Sequence, residues 1–320
     1  MDDIPQATLD AYRTCEFTTL GRDGTPLTWP VSPMRQEDGT LLVTTSIGFP
    51  QKALNVRRDG RVGLLFSDPT GSGLADPPQL FIHGTAECAS ELTTSPEGLE
   101  DYWLMLYERQ PSSRSYTLPG LRSLTDWYYM RLLITVTPAH AEERPASTAV
   151  ALPSDGLTPG SAGLAQAWSR AVGAGVPGAR QLAGYPTAVL GALDAQGAVA
   201  LVRTTPQPAG DRFAVAAAAG VDLAAGRASL LVHRHDEKLT GVAFALVCGQ
   251  IARPEVPAGS GDWLFTPDRV IEPVSSSSPA SAIRSLRNVR ATTARYLARR
   301  GLERPAIPWR QYRALVRRAR

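Results

Sequence analysis

The feature that most restricts the fold of this chain is that its second half repeats its first. LGRDGTPLTWPVSP, Leu20 to Pro33, returns as LDAQGAVALVRTTP, Leu193 to Pro206. RVGLLF at 61–66 returns as RASLLV at 227–232, an offset of 166, and FIHGTAEC at 81–88 as ALVCGQIA at 245–252, an offset of 164. Turns, glycines and apolar runs keep their order while the spacing drifts, which is what a diverged tandem duplication leaves behind. Two unrelated β domains are the alternative. At 320 residues each half is long enough to bury its own core.

Within the first copy the pattern is that of strands. Phe17 to Arg35 alternates around Asp23-Gly24, a strong hairpin signal, and a second turn at Asp38-Gly39 leads into TLLVTTS, Thr40 to Ser46. A short helix follows, with Pro50 in its first turn, where a missing N–H costs nothing. RVGLLFS and Gln79 to Cys88 read as further strands, Pro96 to Gln110 as a helix with one apolar face, and DWYYMRLLITVTP, ending at Pro138, as the closing strand. Ala139 to Gly163 is rich in Pro, Ser, Ala and Gly and reads as a linker. These patterns predict a mainly β, α+β chain. Residues 1–143 read as a first β domain, 144–163 as a linker, 164–274 as a degenerate second β domain, and 275–320 as a basic helical extension.

Composition matters at three places. An apolar content of 43% describes a globular chain, no run approaches the ~18 apolar residues of a membrane span, and the acidic start MDDIPQATLD lacks the apolar segment of a secretory signal. Cys15, Cys88 and Cys248 have no metal-ligand spacing and read as free thiols, so a cytoplasmic location is expected. From Ser275 onward there are 12 Arg against one acid, Glu303, a net +11 on a body of −8. Such a tail is expected to dock on that body or on a second copy; with few aromatic side chains for stacking, no nucleic-acid partner is expected.

The basic residues also point to a site. Of 33 only Lys52 and Lys238 are lysine. Lys52 lies on the first turn of the short helix, just after the hydroxyls of Thr44, Thr45 and Ser46. Free N–H groups, hydroxyls and an ammonium together suit a phosphate; a solvated lysine after a β-prone threonine run is the plainer reading. The second copy has AAAAGVDLAAG at this place, without lysine or hydroxyls. His83 reads as a buried, hydrogen-bonded histidine. His233 and His235 could present two imidazoles on one face for a metal or a haem, but no third ligand lies near them in sequence, so no metal site is expected.

From Phe17 to about Glu142 the chain resembles the split β-barrel flavin-binding family that includes pyridoxamine 5′-phosphate oxidases and deazaflavin-dependent reductases. The motifs that carry the resemblance are the DG turn running into TWPVSP, GTLLVTTS, the block K-A-x-N-x-x-R-D-x-R-V-x-L-L-F, QLFIHGTAE and WYYMRLLITVTP. The resemblance implies two tandem split β-barrels and an FMN-dependent oxidoreductase acting on a small-molecule substrate. A deazaflavin is the alternative cofactor, and a non-catalytic flavin or haem carrier the alternative role. It places Thr45, Ser46, Lys52 and Gln51 at the cofactor phosphate, Gln51 standing where Arg is common. It places Val31, Ser32 and Arg35 along the ring, and Gln79 on the cofactor from a neighbouring barrel. The Trp and Arg motif of true pyridoxamine-phosphate oxidases is missing after Pro138, so that substrate is not expected. Relatives bind flavin between paired barrels, which implies either a homodimer or a barrel pair within one chain.

Overall fold

The computed structural model describes residues 5–146, 161–217, 221–254, 262–272 and 279–319. The first copy contributes seven strands: β1 (Cys15–Leu20), β2 (Pro26–Val31), β3 (Met34–Arg35), β4 (Leu41–Ser46), β5 (Arg61–Phe66), β6 (Gln79–Cys88) and β7 (Arg131–Arg144). The second contributes β8 (Ala188–Leu193), β9 (Val199–Thr204), β10 (Gln207–Ala209), β11 (Arg212–Ala216), β12 (Gly226–Arg234), β13 (Ala243–Ala252) and β14 (Asp262–Ile271). The helices are α1 (Gln6–Ala11), α2 (Gln51–Val56), α3 (Glu100–Arg109), α4 (Arg122–Thr125), α5 (Ser161–Gly173), α6 (Ala179–Ala183), α7 (Pro279–Arg299) and α8 (Trp309–Arg318). Most of the expected linker, at 147–160, and 218–220 of the second-copy stretch lie outside the described residues, as does the start of the extension at 275–278.

Each copy forms one antiparallel sheet curled into a half-barrel, and the two sheets have the same strand order. The first runs β2-β1-β5-β6-β7-β4-β3 and the second, read from its matching edge, β9-β8-β12-β13-β14-β11-β10. The tight turns that join paired strands follow from local chemistry. Gly24 and Gly197 both take left-handed backbone, with φ of 75° and 80°, and the carboxylates of Asp23 and Asp194 accept N–H groups inside their turns. Gly84 and Gly249 mark a shared bulge: at each the register shifts, and a Cβ would lie 2.1 Å from a carbonyl oxygen of the adjacent strand, Thr137 O or Thr266 O. These bulges are 165 residues apart, so the sequence match at this strand was one residue out of register.

The closing strand differs from its expected limits. Asp126–Tyr129 is a 3-10 turn, β7 begins at Arg131, and it continues past Pro138 to Arg144. Pro138 is accommodated because it faces Gly84 at the bulge, where the ladder is already interrupted.

Each half-barrel has its own buried core, and a third apolar cluster joins them. Leu20, Leu27, Leu65 and Phe81 of the first copy pack on Val199, Leu201, Leu231 and Leu246 of the second. Two glycines permit the close approach: a Cβ at Gly63 would meet Val199 Cγ1 at 2.8 Å, and one at Gly191 would meet Thr28 Oγ1 at 3.0 Å. The extension packs on the first half-barrel. Tyr296, Leu297, Tyr312, Leu315 and Val316 enter its core, and Arg304 grips Asp126 with two bonds of 2.6 and 2.7 Å. Along α7 Val289 and Leu297 are buried while Ile283 is exposed.

Candidate functional site

At the end of β4 three hydroxyls are buried and engaged. Thr44 Oγ1 donates to Tyr102 Oη at 2.9 Å, Thr45 Oγ1 donates to the Phe49 carbonyl at 2.8 Å, and Ser46 Oγ accepts the Gly48 N–H at 3.2 Å. The last two shape the turn that presents α2. Helix α7 closes against this turn, since a Cβ on Gly48 would meet Val289 Cγ1 at 2.7 Å.

Two cations converge beside the turn. Lys52, half-buried, holds its ammonium 5.1 Å from the centre of the Trp29 ring. Burial first, and the neighbouring Arg131 cation second, push its pKa down to about 8. Arg131 opens β7 directly opposite Ser46 and is only 7% exposed. Its guanidinium lies over the rings of Tyr128 (4.2 Å) and Trp103 (5.0 Å), and its Nε and Nη2 have no hydrogen-bond partner. Among the described residues neither cation is within ion-pair distance of a carboxylate. Unbonded N–H groups on a buried cation are costly, and a second positive charge nearby adds to that cost. An anion seated between Lys52 and Arg131 would relieve both.

The other expected site residues are spread out. Gln51 Nε2 donates to Asn55 Oδ1 along α2 at 2.7 Å, and Asn55 in turn donates to Thr19. Val31 and Ser32 are half-buried at the end of β2, two residues past Trp29. Arg35 forks onto Asp10 with bonds of 2.8 and 3.2 Å. It faces Leu41, five strand residues from Ser46 and therefore about 17 Å along β4. Arg35 lines a cleft of about 280 Å³ together with Asp10, Pro33, Phe66 and Arg109. Gln79 starts β6 and donates to the Pro145 carbonyl at 3.3 Å. The structure thus gathers Thr45, Ser46 and Lys52, and leaves Arg35 and Gln79 with other partners.

Arg131 was missed in the sequence. Its signal was an arginine between YYM and LLITV, since a charged side chain among buried apolar neighbours is rare without a partner. His83 is half-buried, its ring 6.0 Å from that of Phe81 and 5.2 Å from that of His140, with its pKa lowered by burial and then by His140. The absence of a third ligand near His233 and His235 holds only along the chain. In space Asp68 joins them, with all three ligand atoms within 4.8 Å of one another.

No family model matches the chain, and no curated protein matches it. Among solved structures it is similar to a protein of unknown function from Agrobacterium tumefaciens, at 21% identity and a TM-score of 0.31, over 43% of this chain and 55% of that one. It is similar to a pyridoxamine 5′-phosphate oxidase-related, FMN-binding protein from Nostoc punctiforme, at 13% identity and a TM-score of 0.30, over 43% of this chain and 79% of that one. It is also similar to a haem storage protein from Vibrio cholerae, at 16% identity and a TM-score of 0.30, over 44% of this chain and 92% of that one. Each likeness spans less than half of this chain. No helix among the described residues is long and apolar enough to cross a membrane.

Proposed function

We propose that the first half-barrel binds a phosphate-bearing flavin, FMN, and that the chain is an oxidoreductase acting on a small molecule in the cytoplasm. The observation that carries this reading is the pair of cations Lys52 and Arg131, free of carboxylate partners beside the Ser46–Pro50 turn. Two positive charges match the charge of a phosphate monoester, about −2 at pH 7. The phosphodiester of a deazaflavin carries one charge and leaves one cation uncompensated, which favours FMN. The buried Arg131 N–H groups supply directed donors and Lys52 a point charge.

Bound FMN supplies two-electron redox chemistry at its ring. The chain's own contribution is binding and shielding. Lys52 and Arg131 hold the phosphate, while Thr45 and Ser46 keep the turn in place. The backbone from Pro30 to Arg35 offers hydrogen-bonding groups beyond Trp29, and helix α7 covers one side of the turn, where Val289 packs on Gly48. Leu65, Phe81, Leu231 and Leu246 pair the half-barrels within one chain, which supports a site formed without a second copy.

The test is titration of the purified protein with FMN, with a deazaflavin and with haem, followed by addition of a nicotinamide donor. Saturable FMN binding that Arg131→Gln weakens, with reduction of the bound ring, supports the proposal. Binding without reduction would leave a carrier in place of an enzyme, and no binding of any of the three would end the reading.

A further inference from the structure

The seam between the half-barrels holds a second polar cluster. Asp68 follows β5 of the first copy, while His233 lies near the end of β12 of the second and His235 just beyond it. The two imidazoles sit two residues apart on one face, nearly parallel at 17°, with side chains 1% and 0% exposed. Around them Glu16, fully buried, accepts from Arg203 Nη2 at 2.7 Å and from Ser67 Oγ at 2.9 Å. Arg203 completes its donors on Ser67 and Thr187.

The hydrogen bonds fix where each imidazole carries its proton. His233 Nε2 lies 2.7 Å from Glu16 Oε1. Glu16 Oε1 already accepts from Arg203 Nη2 at 2.7 Å, so it faces His233 as an acceptor and Nε2 is the donor. His235 Nδ1 lies 3.0 Å from the Asp236 carbonyl, which can only accept. In the neutral form both rings therefore turn a nitrogen lone pair toward Asp68, that of His235 also accepting from Thr14 Oγ1 at 2.9 Å. His235 Nε2 is 3.4 Å from Asp68 Oδ2 and His233 Nδ1 is 3.9 Å from it. Among the described residues His233 Nδ1 has no hydrogen-bond partner. Two imidazole nitrogens and a carboxylate oxygen within 4.8 Å of one another suit a cation placed between them.

We infer that Asp68, His233 and His235 form a binding site for a first-row divalent transition metal, zinc fitting best, that fastens the two half-barrels together. Two imidazole nitrogens and one carboxylate oxygen are a common zinc donor set, and bond lengths of about 2.0–2.2 Å place tetrahedral ligand atoms roughly 3.3–3.5 Å apart. The His235–Asp68 separation already has that value; His233 must close by about half an ångström. Glu16 on His233 and the Asp236 carbonyl on His235 are the outer partners that orient metal-bound imidazoles. Thr14 Oγ1, 2.9 Å from His235 Nε2, donates to that lone pair in the metal-free chain and rotates aside when the ion enters. The fourth position is left to water. Nothing in this inference depends on flavin binding.

The test uses the full chain, stripped with a chelator, dialysed without flavin, and titrated with zinc and with cobalt(II). One equivalent of zinc, a rise in thermal midpoint with zinc, and the intense visible bands of four-coordinate cobalt are expected. Asp68→Asn and, separately, His235→Asn should weaken zinc binding more than 100-fold and remove the thermal shift. His140→Ala, an exposed histidine elsewhere, should change neither. Failure of the parent chain to take up zinc, or equal uptake by both site variants, would overturn the assignment. If one variant does not fold, the other decides, since the two residues lie in different half-barrels.

Discussion

The sharpest prediction concerns Lys52 and pH. In the free protein its pKa is about 8, and a phosphate monoester carries its second charge above a pKa of about 6. FMN affinity should therefore be highest between about pH 6 and 8 and fall as Lys52 loses its proton above that window. A charge-assisted hydrogen bond contributes about 1.5–3 kcal/mol. Against it stands the contact with the Trp29 ring at 5.1 Å, which Lys52 gives up on binding and which is worth about 0.5–1 kcal/mol. The net is roughly 1–2 kcal/mol, so Lys52→Ala should weaken FMN binding about 5- to 30-fold at pH 7. The assay is quenching of flavin fluorescence, run every half pH unit from 5.5 to about 10. Lys52→Ala should lack the alkaline fall, because the titrating group is gone. Lys52→Arg should keep the affinity and also lack the fall, because guanidinium does not titrate there. An unchanged dissociation constant in Lys52→Ala, or an alkaline fall that persists in it, would refute the reasoning.

Other outcomes follow from the same geometry. Without cofactor, the native chain releases the Lys52 proton near pH 8 whereas the unfolded chain keeps it to about 10.5, so this group's contribution to stability rises with pH across that window. Lys52→Met should accordingly be more stable than the parent at pH 7, with the gap closing by pH ~10 in thermal denaturation. Gly84→Ala and Gly249→Ala should each cost about 1–3 kcal/mol in denaturant titration, because each Cβ meets a strand carbonyl at 2.1 Å. Glu16→Gln removes the charge facing buried Arg203 and should cost about 3–5 kcal/mol, much of it restored by adding Arg203→Met. Tyr312→Ala removes a ring 4.9 Å from Trp103 and 4.4 Å from Tyr129. It should cost about 3–5 kcal/mol and release α8 to early proteolysis.

Much of the architecture was legible in the amino-acid order because it is local. Asp-Gly turns, alternation along a strand, Pro50 before a short helix and the repeat of these signs in the second half depend on residues a few places apart. They mark most strands of the first half and the return of the same signs in the second, and they mark Lys52 as unusual. They did not fix the register of β6 and β13, because the equivalence rests on a bulge seen only when Gly84 and Gly249 face their partner strands.

The chemistry of both candidate sites was decided by tertiary contact. Arg131 stands beside Lys52 because β7 pairs with β4 and sets it opposite Ser46; along the chain the two cations are far apart. Arg35 and Gln51, plausible from sequence, find nearer partners in Asp10 and Asn55. Asp68 reaches His235 and Glu16 reaches Arg203 only where one copy meets the other, the last pair being 187 residues apart. Sequence patterning records which side of a strand is apolar. It does not record which buried charges will face one another, because that is set by how two closed sheets pack, through distances no local signal encodes.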